Sequence, residues 1–566
     1  METINLMEIA REQIRRTIKK AAEKAVQQDS LPELHIDEIV LEIPREKQHG
    51  DFATNVAMQM ARQAKMPPRK IADILVSNMA LEGTYIEKVE VAGPGFINFY
   101  LKKEWLYQVI HAIEWMGNDY GRVNIGNGQK VMVEFVSANP TGPMHMGNAR
   151  GGALGDCLAS ILEWAGYDVT REFYINDAGN QIEKFGRSLE ARYVQLLKGE
   201  DAFPFPEDGY HGEDITDHMR EFISSEGDKY LDVDSEERRK VFVEYALNKN
   251  IEKIKADLKR YGIEYDVWFH ESWLYENNEV QQTIDELTQK GYTYEKEGAI
   301  WFKATEFGAE KDEVLVRNNG VPTYFAADIA YHRNKFITRG FDRVIDIWGA
   351  DHHGHVTRMK GAMKAIGCDP DKLDVIIIQL VRLLKNGEVA RMSKRTGRTV
   401  TLSDLLDETG VDAARFFFNM RQSGSHLDFD LDLAVKQSNE NPVFYVQYAH
   451  ARICSILRLL SEEGIQVKGA DSIDVSLLNQ PEEVELLKKL VELPEEITIA
   501  ALTMEPSRMT RYVLDLAALF HTFYNACRVK TEDVELMAAR LKLIDCVRIV
   551  LSNVLHLLGV SAPERM

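Results

Sequence analysis

The chain of 566 residues has only five cysteines, Cys157, Cys368, Cys454, Cys527 and Cys546, widely scattered and with no C-x-x-C pair. An odd, sparse set of this kind excludes a disulfide framework and a cysteine zinc site, and fits reduced thiols in the cytoplasm. No run of about 18 apolar residues occurs, so no segment is expected to span a membrane. The first residues, METINLMEIAREQIRRTIKK, place Leu6, Ile9, Ile14 and Ile18 near helical spacing among charges and lack the apolar core of a secretion signal. There is no internal repeat and no low-complexity segment. Positive charge is also in short supply: 68 Lys and Arg stand against 89 Asp and Glu, a net charge of −21. That balance argues against a polyanion partner for the surface as a whole, but binding is decided by local patches.

What is present is concentrated. The stretch 131–156, VMVEFVSANPTGPMHMGNARGGALGD, begins as a buried strand over 131–136 in which Glu134 is the one charge. Two prolines and a glycine turn the chain over 137–144, and an apolar-periodic helix follows over 153–164. A helix whose first turn carries His145, Gly147 and Asn148 offers free N–H groups and the positive end of its dipole to an anion. For a lone H-x-G the bland alternative is a Gly-rich corner; here strand, prolines and polar residues agree on a phosphate or nucleotide seat. A second concentration is the basic stretch 382–398, RLLKNGEVARMSKRTGR, with six basic residues against one acidic, a local +5. Gly387 and Gly397 loosen it, so Arg391, Lys394 and Arg395 can close over a triphosphate where charge builds on a departing pyrophosphate. A third is Trp348-Gly349-Ala350-Asp351-His352-His353-Gly354-His355, which follows a strand and therefore sits at the carboxyl edge of a sheet, where such folds bind ligands.

Three segments differ in pattern. Residues 1–115 mix helices (53–64 and 71–79), an alternating stretch (35–43) and a strand pair around Gly93-Pro94-Gly95 (89–101), an α+β unit. From 116 to 435 strands and helices alternate, which predicts a parallel α/β sheet with buried strands over 131–136, 344–348 and 375–380. An acidic, helix-rich insertion over about 195–300, including a helix over 241–261, divides it. From 436 to 566 the pattern is helical, with Tyr445, Tyr448, Ala449, Ile453 and Leu457 on one face and a long helix over 509–527: a helical bundle.

Met144-His145-Met146-Gly147-Asn148 resembles the HIGH signature of class I aminoacyl-tRNA synthetases. With Glu134-Phe135 before it and Asn139-Pro140-Thr141-Gly142-Pro143 beside it, the region resembles arginyl-tRNA synthetases in particular. Asn148 stands where a second histidine is usual; an amide can donate to a phosphate or ribose oxygen but carries no proton charge. Arg391-Met392-Ser393-Lys394-Arg395 resembles the KMSKS signature, about 250 residues further on. The segments at His49-Gly50-Asp51-Phe52 and Gly93-Pro94-Gly95-Phe96 resemble the family's N-terminal domain, and the run from Asn441 to Arg452 with the closing Ser561 to Met566 resembles its anticodon-binding domain.

The resemblance implies a class I Rossmann-like catalytic core between an N-terminal tRNA-contacting domain and a helical anticodon-binding domain. It implies that arginine and ATP form arginyl-adenylate, which is transferred to the terminal ribose of tRNA(Arg), with Mg2+ accompanying the ATP and no protein-bound zinc. His145, Asn148 and Lys394 would be catalytic. ATP would lie against Ala138, Asn139, Pro140, Thr141, Gly142, Pro143, Met144, His145, Met146, Gly147, Asn148, Gly349, Asp351, His352, Met392 and Lys394. Arginine would meet Glu134 and Asn139 at its common end and Tyr324 and Asp328 at its guanidinium, which calls for a carboxylate, with Ser137 and His145 also in its site. Tyr445, Gln447, Tyr448, Arg452 and Met566 would face tRNA. The protein is expected to be a cytoplasmic monomer. The rivals are a class I enzyme for another amino acid, a smaller nucleotidyltransferase, which would have no use for the bundle, and an inactive tRNA-binding relative, against which His145, Gly147 and Lys394 speak.

Overall fold

The computed structural model describes residues 3–33, 38–44, 46–390 and 400–566. Helix α1 (Leu6–Gln27) starts where Asn5 caps the Glu8 N–H at 3.1 Å, and buries Ile14, Ile18 and Ala25 on one face. Strand β1 (Phe52–Thr54), helices α2 (Val56–Ala64) and α3 (Pro68–Asn78) and strands β2 (Ile86–Ala92) and β3 (Phe96–Leu101) follow. The strands form an antiparallel sheet in the order β1-β3-β2, and Pro68, with no N–H to lose, opens α3. The strand expected over 35–43 is not formed in its described part: Glu42 makes a single bridge to Ala53, and residues 34–37 lie outside the described residues. Helix α4 (Lys103–Met116) then leads into the central unit.

That unit runs β4 (Lys130–Glu134), α5 (Met146–Trp164), β5 (Asp168–Ile175), α6 (Asn180–Lys198), α7 (Glu213–Glu226), α8 (Ser235–Arg260) and β6 (Val267–His270). It continues through α9 (Glu271–Glu276), α10 (Glu279–Gln289), a small antiparallel sheet of β7 (Thr293–Lys296), β8 (Ala299–Phe302) and β9 (Glu313–Val316), then α11 (Tyr324–Arg333), β10 (Arg343–Gly349), α12 (His353–Ile366) and β11 (Leu373–Ile378). Five of these strands make one parallel sheet, ordered β11-β10-β4-β5-β6. From β4 the chain winds outward through β5 to β6, then returns to the other side of β4 as β10 and winds outward again to β11. The reversal falls between β4 and β10, and the crevice beyond their carboxyl ends is where a sheet of this topology takes a ligand. Both ends carry a motif: His145 to Asn148 after β4, Gly349 to His352 after β10. Buried apolar runs fit strands covered on both faces, Val131, Met132 and Val133 in β4 and Val344 and Ile345 in β10. Helix α5 lies so close to the chain leaving β4 that a Cβ on Gly155 would stand 2.3 Å from the Phe135 ring.

Two expectations are corrected here. The strand predicted over 131–136 stops at Glu134, because Val136 (φ 70°) and Ser137 (φ 40°) are left-handed. The Ser137 N–H bonds the Phe135 carbonyl at 3.0 Å around Val136, a three-residue turn costly for a β-branched side chain. The segment 195–300 is not one helical insertion: β6 within it is an edge strand of the main sheet. Before β6 its helices α7 and α8 pack with α6 around a core of their own that includes Phe185, Tyr193, Phe222 and Phe242, and α9 and α10 follow β6.

After β11 come β12 (Val381–Lys385), β13 (Glu388–Ala390), α13 (Leu402–Thr409), α14 (Val411–Asn419), β14 (Leu427–Asp430) and α15 (Leu431–Ala434). The fully buried Arg150 of α5 donates to the carbonyls of Gln379, at 2.7 Å, and Gln422, at 2.9 Å, and so fixes this region to α5. Helices α16 (Pro442–Glu462), α17 (Pro481–Thr503), α18 (Ser507–Ala526) and α19 (Val534–Leu557) form the closing bundle. Helix α4 is bound into it, through Lys542 to Glu114 at 2.6 Å and through the Tyr120 hydroxyl to the Leu490 carbonyl at 2.8 Å just beyond the helix. No described helix is long and apolar enough to cross a membrane.

Candidate active site

His145 is the N-cap of α5, and Asn148 closes the cap: its Oδ1 accepts the His145 backbone N–H at 2.9 Å. The amide therefore keeps its NH2 for donation, while His145 itself is exposed at the crevice. The N–H groups of Met146 and Gly147 fall in the first turn, where a helix has no acceptor of its own to offer. A Cβ on Gly147 would meet nothing within 4 Å, so this glycine leaves open space beside those donors rather than relieving a clash. Asn139 is exposed on the rim, Pro140 and Met144 are buried, and Ser137, Ala138, Thr141, Gly142, Pro143 and Met146 are half-buried. The turn is held from outside by Asn250 of α8, whose amide donates to the Pro140 carbonyl at 2.8 Å.

The basic stretch is anchored at both described ends. Strand β13 ends at Ala390, and Thr401 forms an isolated bridge with His145 while the Leu402 N–H donates to the Met144 carbonyl at 3.0 Å. Arg391, Met392, Lys394 and Arg395 lie outside the described residues. Beyond β10, Gly349 and the largely exposed Asp351 and His352 border the same crevice. His355 turns the other way, onto Asp328 at 3.1 Å. Among the described residues no cluster of three or more His, Cys, Asp or Glu could hold a metal ion.

Tyr324 and Asp328 do share a helix, α11, and their surroundings were not foreseen from the sequence. Glu271, first residue of α9, is 1% exposed, and its Oε1 has no hydrogen-bond partner. Burial pushes its carboxyl up from 4.5 to about 7; the Tyr174 phenol lowers it, and the nearby charges of Asp328 and Asp177 raise it further. Burial and the charges of Glu271 and Asp328 likewise drive the Tyr275 phenol up. Asp177 is occupied by His270 at 2.8 Å and by the Ser272 N–H at 2.8 Å. No described lysine or arginine forms an ion pair with Glu271, Asp177 or Asp328. A cavity of about 230 Å3 opens alongside, with Tyr275, Arg317 and Tyr324 in its wall. A buried carboxylate such as Glu271 without a cation is costly. The signal in the sequence was Val267-Trp268-Phe269-His270-Glu271: read as a core strand, it puts Glu271 at the same sheet edge as the other motifs.

Glu134, by contrast, is not the lone charge in mid-strand that the sequence indicates. It ends β4, accepts from the Ser137 hydroxyl at 2.9 Å, and is paired with Lys335 at 2.6 Å, a residue the sequence reading did not single out.

In the bundle, Tyr445, Tyr448 and Arg452 of α16 are half-buried, with Tyr445 beside His521 at 4.8 Å between ring centres and Arg452 over the Tyr524 ring at 3.9 Å. Gln447 is buried and its amide donates to Asp412 at 2.8 Å and to the Ser561 carbonyl at 3.0 Å, so it secures the C-terminal segment. His450 adds a contact to the Pro563 carbonyl at 2.9 Å, and Met566 remains 54% exposed beyond it.

A parallel sheet with its reversal at β4 and β10, a histidine-capped helix in that crevice, and a helical bundle behind it together define a class I aminoacyl-tRNA synthetase core. Residues 110–428 match the family model for the class I (R) tRNA synthetase catalytic domain, residues 12–101 that for the arginyl tRNA synthetase N terminal domain, and residues 446–566 that for the DALR anticodon binding domain. The arginine–tRNA ligase of Acetivibrio thermocellus is 66% identical over 99% of this chain and all of its own, and that of Ruminiclostridium cellulolyticum 64% over the same shares. The solved arginyl-tRNA synthetase of Thermus thermophilus, 23% identical, shares the fold with a TM-score of 0.73 over 98% of this chain and 100% of its own. The chain belongs to the arginyl-tRNA synthetase family.

Proposed function

We propose that the protein activates L-arginine with ATP and transfers it to the 3′ end of tRNA(Arg). The observation that carries the choice of amino acid is the cation-free group of Glu271, Asp328 and Tyr324 beside the nucleotide crevice, since a planar guanidinium is the side chain that needs converging carboxylates. In the first step an arginine carboxylate oxygen bonds to the α-phosphorus of ATP, the bond from that phosphorus to the bridging oxygen breaks, and pyrophosphate leaves with the electron pair. The nucleophile is already ionised, so no base is required. His145 and the first-turn N–H groups of α5 donate to the α-phosphate as its charge grows, Asn148 supports them, Met392 binds the ATP, and Lys394 supplies charge to the leaving pyrophosphate. Mg2+ enters as part of the ATP complex. In the second step a hydroxyl of the terminal ribose attacks the arginyl carbonyl carbon, AMP departs, and the hydroxyl proton is released.

ATP is read by residues 138–148 with Gly349, Asp351 and His352; arginine by Asp328, Tyr324 and Glu271 at the guanidinium and by Glu134, Ser137, Asn139 and His145 at the common end. Tyr445, Tyr448, Arg452 and Met566 face the tRNA. The test is ATP–pyrophosphate exchange with tRNA present, comparing arginine, lysine and citrulline. Exchange confined to arginine is expected: lysine lacks the planar fork, and citrulline keeps the shape without the charge. Equal exchange with citrulline would refute a charge-reading pocket.

A further inference from the structure

Strands β10, β4 and β5 lie side by side, and their register sets Asp346 opposite Glu134 and Glu134 opposite Glu172. Register partners point to one face, so three carboxylates form a row across the middle of the sheet, two of them fully buried and Glu134 7% exposed. All the cations that answer them come from the end of α11 and the wide π-turn Asn334–Thr338 that extends it. His332 meets Asp346 at 2.9 Å, Arg339 meets Glu172 at 3.0 Å, and Lys335, with no exposed surface, reaches Glu134 at 2.6 Å and Asp346 at 2.9 Å. The Tyr331 ring lies 4.1 Å from the Lys335 ammonium, and its hydroxyl is bonded to Glu172.

The three anions are not equally secured. Asp346 has Lys335 and His332, Glu172 has Arg339 and the Tyr331 hydroxyl, but Glu134 has Lys335 alone as a cation, with the Ser137 hydroxyl. Burial pushes the Glu134 carboxyl up, Lys335 pulls it down, and Asp346 and Glu172 push it up again; the phenols of Tyr174 and Tyr265 face it as well. Burial weakens the Lys335 cation, but the charges of Asp346, Glu134 and Glu172 outweigh it and hold the ammonium protonated. Glu134 is also the member of the row that ends its strand, at the foot of the turn into His145.

We propose that Lys335 is a positioning residue for amino-acid recognition: without touching substrate, its ammonium favours and directs the Glu134 carboxylate so that the α-ammonium of arginine meets it. This rests on the reading of Glu134 as the group that takes the α-ammonium. A cluster that merely fastened α11 to the sheet would behave differently, because α11 carries Tyr324 and Asp328 and its loosening would damage guanidinium binding.

Equilibrium binding of L-arginine and of 5-guanidinopentanoate, which keeps the guanidinium and carboxylate but lacks the α-amino group, separates the two. Lys335→Met should weaken L-arginine tenfold or more at pH 7, with the deficit shrinking as pH rises, and leave the analogue unchanged. Equal weakening of both ligands, or a loss of L-arginine affinity independent of pH, would overturn the proposal. Glu134→Gln locates the fault: if it leaves the preference for L-arginine over the analogue intact, the reading of Glu134 fails, and if it abolishes the preference while Lys335→Met does not, the role of Lys335 fails. Should Lys335→Met not fold, Lys335→Met with Asp346→Asn removes a carboxylate along with its cation, and is expected to fold and to show the same selective, pH-dependent loss in milder form.

Discussion

Two groups of carboxylates, one in a row across the main sheet and one formed by Glu271 of α9, Asp328 of α11 and Asp177 between β5 and α6, are treated in opposite ways. In the row Asp346, Glu134 and Glu172, every member has a cation from the chain itself. In the group Glu271, Asp177 and Asp328, histidines partner two members and Glu271 has an oxygen with no partner at all. The chemistry of the side chains is the same; what differs is whether the fold supplies the countercharge. Where it does, the charges join helix to sheet, and in the role proposed for it Glu134 alone of that row also meets the substrate. Where it does not, a desolvation cost remains that a cationic ligand would offset.

The difference predicts which substitutions injure folding and which injure binding. Arg339→Met leaves Glu172 buried without its cation and should cost about 3–5 kcal/mol in urea unfolding. Asp328→Asn should do the reverse. It removes one of the carboxylates awaiting a guanidinium, so arginine binding should weaken by about 2–5 kcal/mol while the KM for ATP and the unfolding midpoint hardly move. A large loss of stability from Asp328→Asn would place it with the scaffold group instead.

Glu271→Gln is the sharpest case, because it should improve the empty protein while harming its function. The folded carboxyl titrates at about 7 against the ordinary 4.5, so the ligand-free protein holds a proton that the unfolded chain has released by neutral pH. Stability is therefore fully present below about 4.5 and is lost as pH rises towards 7. The glutamine variant does not lose it, and should be more stable than the parent by at most roughly 3 kcal/mol at pH 8 and about equal at pH 4. Arginine should bind the parent more weakly below pH 7, where Glu271 is protonated, and the variant weakly at all pH. Unfolding curves at the two pH values check the first statement and arginine titrations the second. An unchanged difference in stability between pH 4 and pH 8 would contradict a buried, proton-holding Glu271.

Much of this was readable along the chain because it is local. The run from Val131 to Asp156 shows a buried strand, a proline turn and a helix start within a few residues, and each is dictated by neighbours in sequence: apolar content, ring-fixed dihedrals, a cap closed by Asn148 on His145. The same holds for Tyr324 and Asp328, four apart and therefore on one helical face. Local pattern says less where tertiary position decides. Val267–His270 is short and sits among helices, and only its pairing with β5 makes it part of the main sheet. Gln447, in an aromatic run suited to a base, is taken up by Asp412 and by a segment that follows it by more than a hundred residues.

The sequence by itself determined the class of chemistry, because a strand–turn–helix phosphate seat and a cationic loop are each made by consecutive residues. Which carboxylates receive the substrate and which hold the frame was decided only by the tertiary structure. Glu134 and Lys335 are 201 residues apart, and they meet because three parallel strands settle into one register and a π-turn delivers the lysine beneath them. No local pattern encodes that meeting, and the charge state of every carboxylate nearby depends on it.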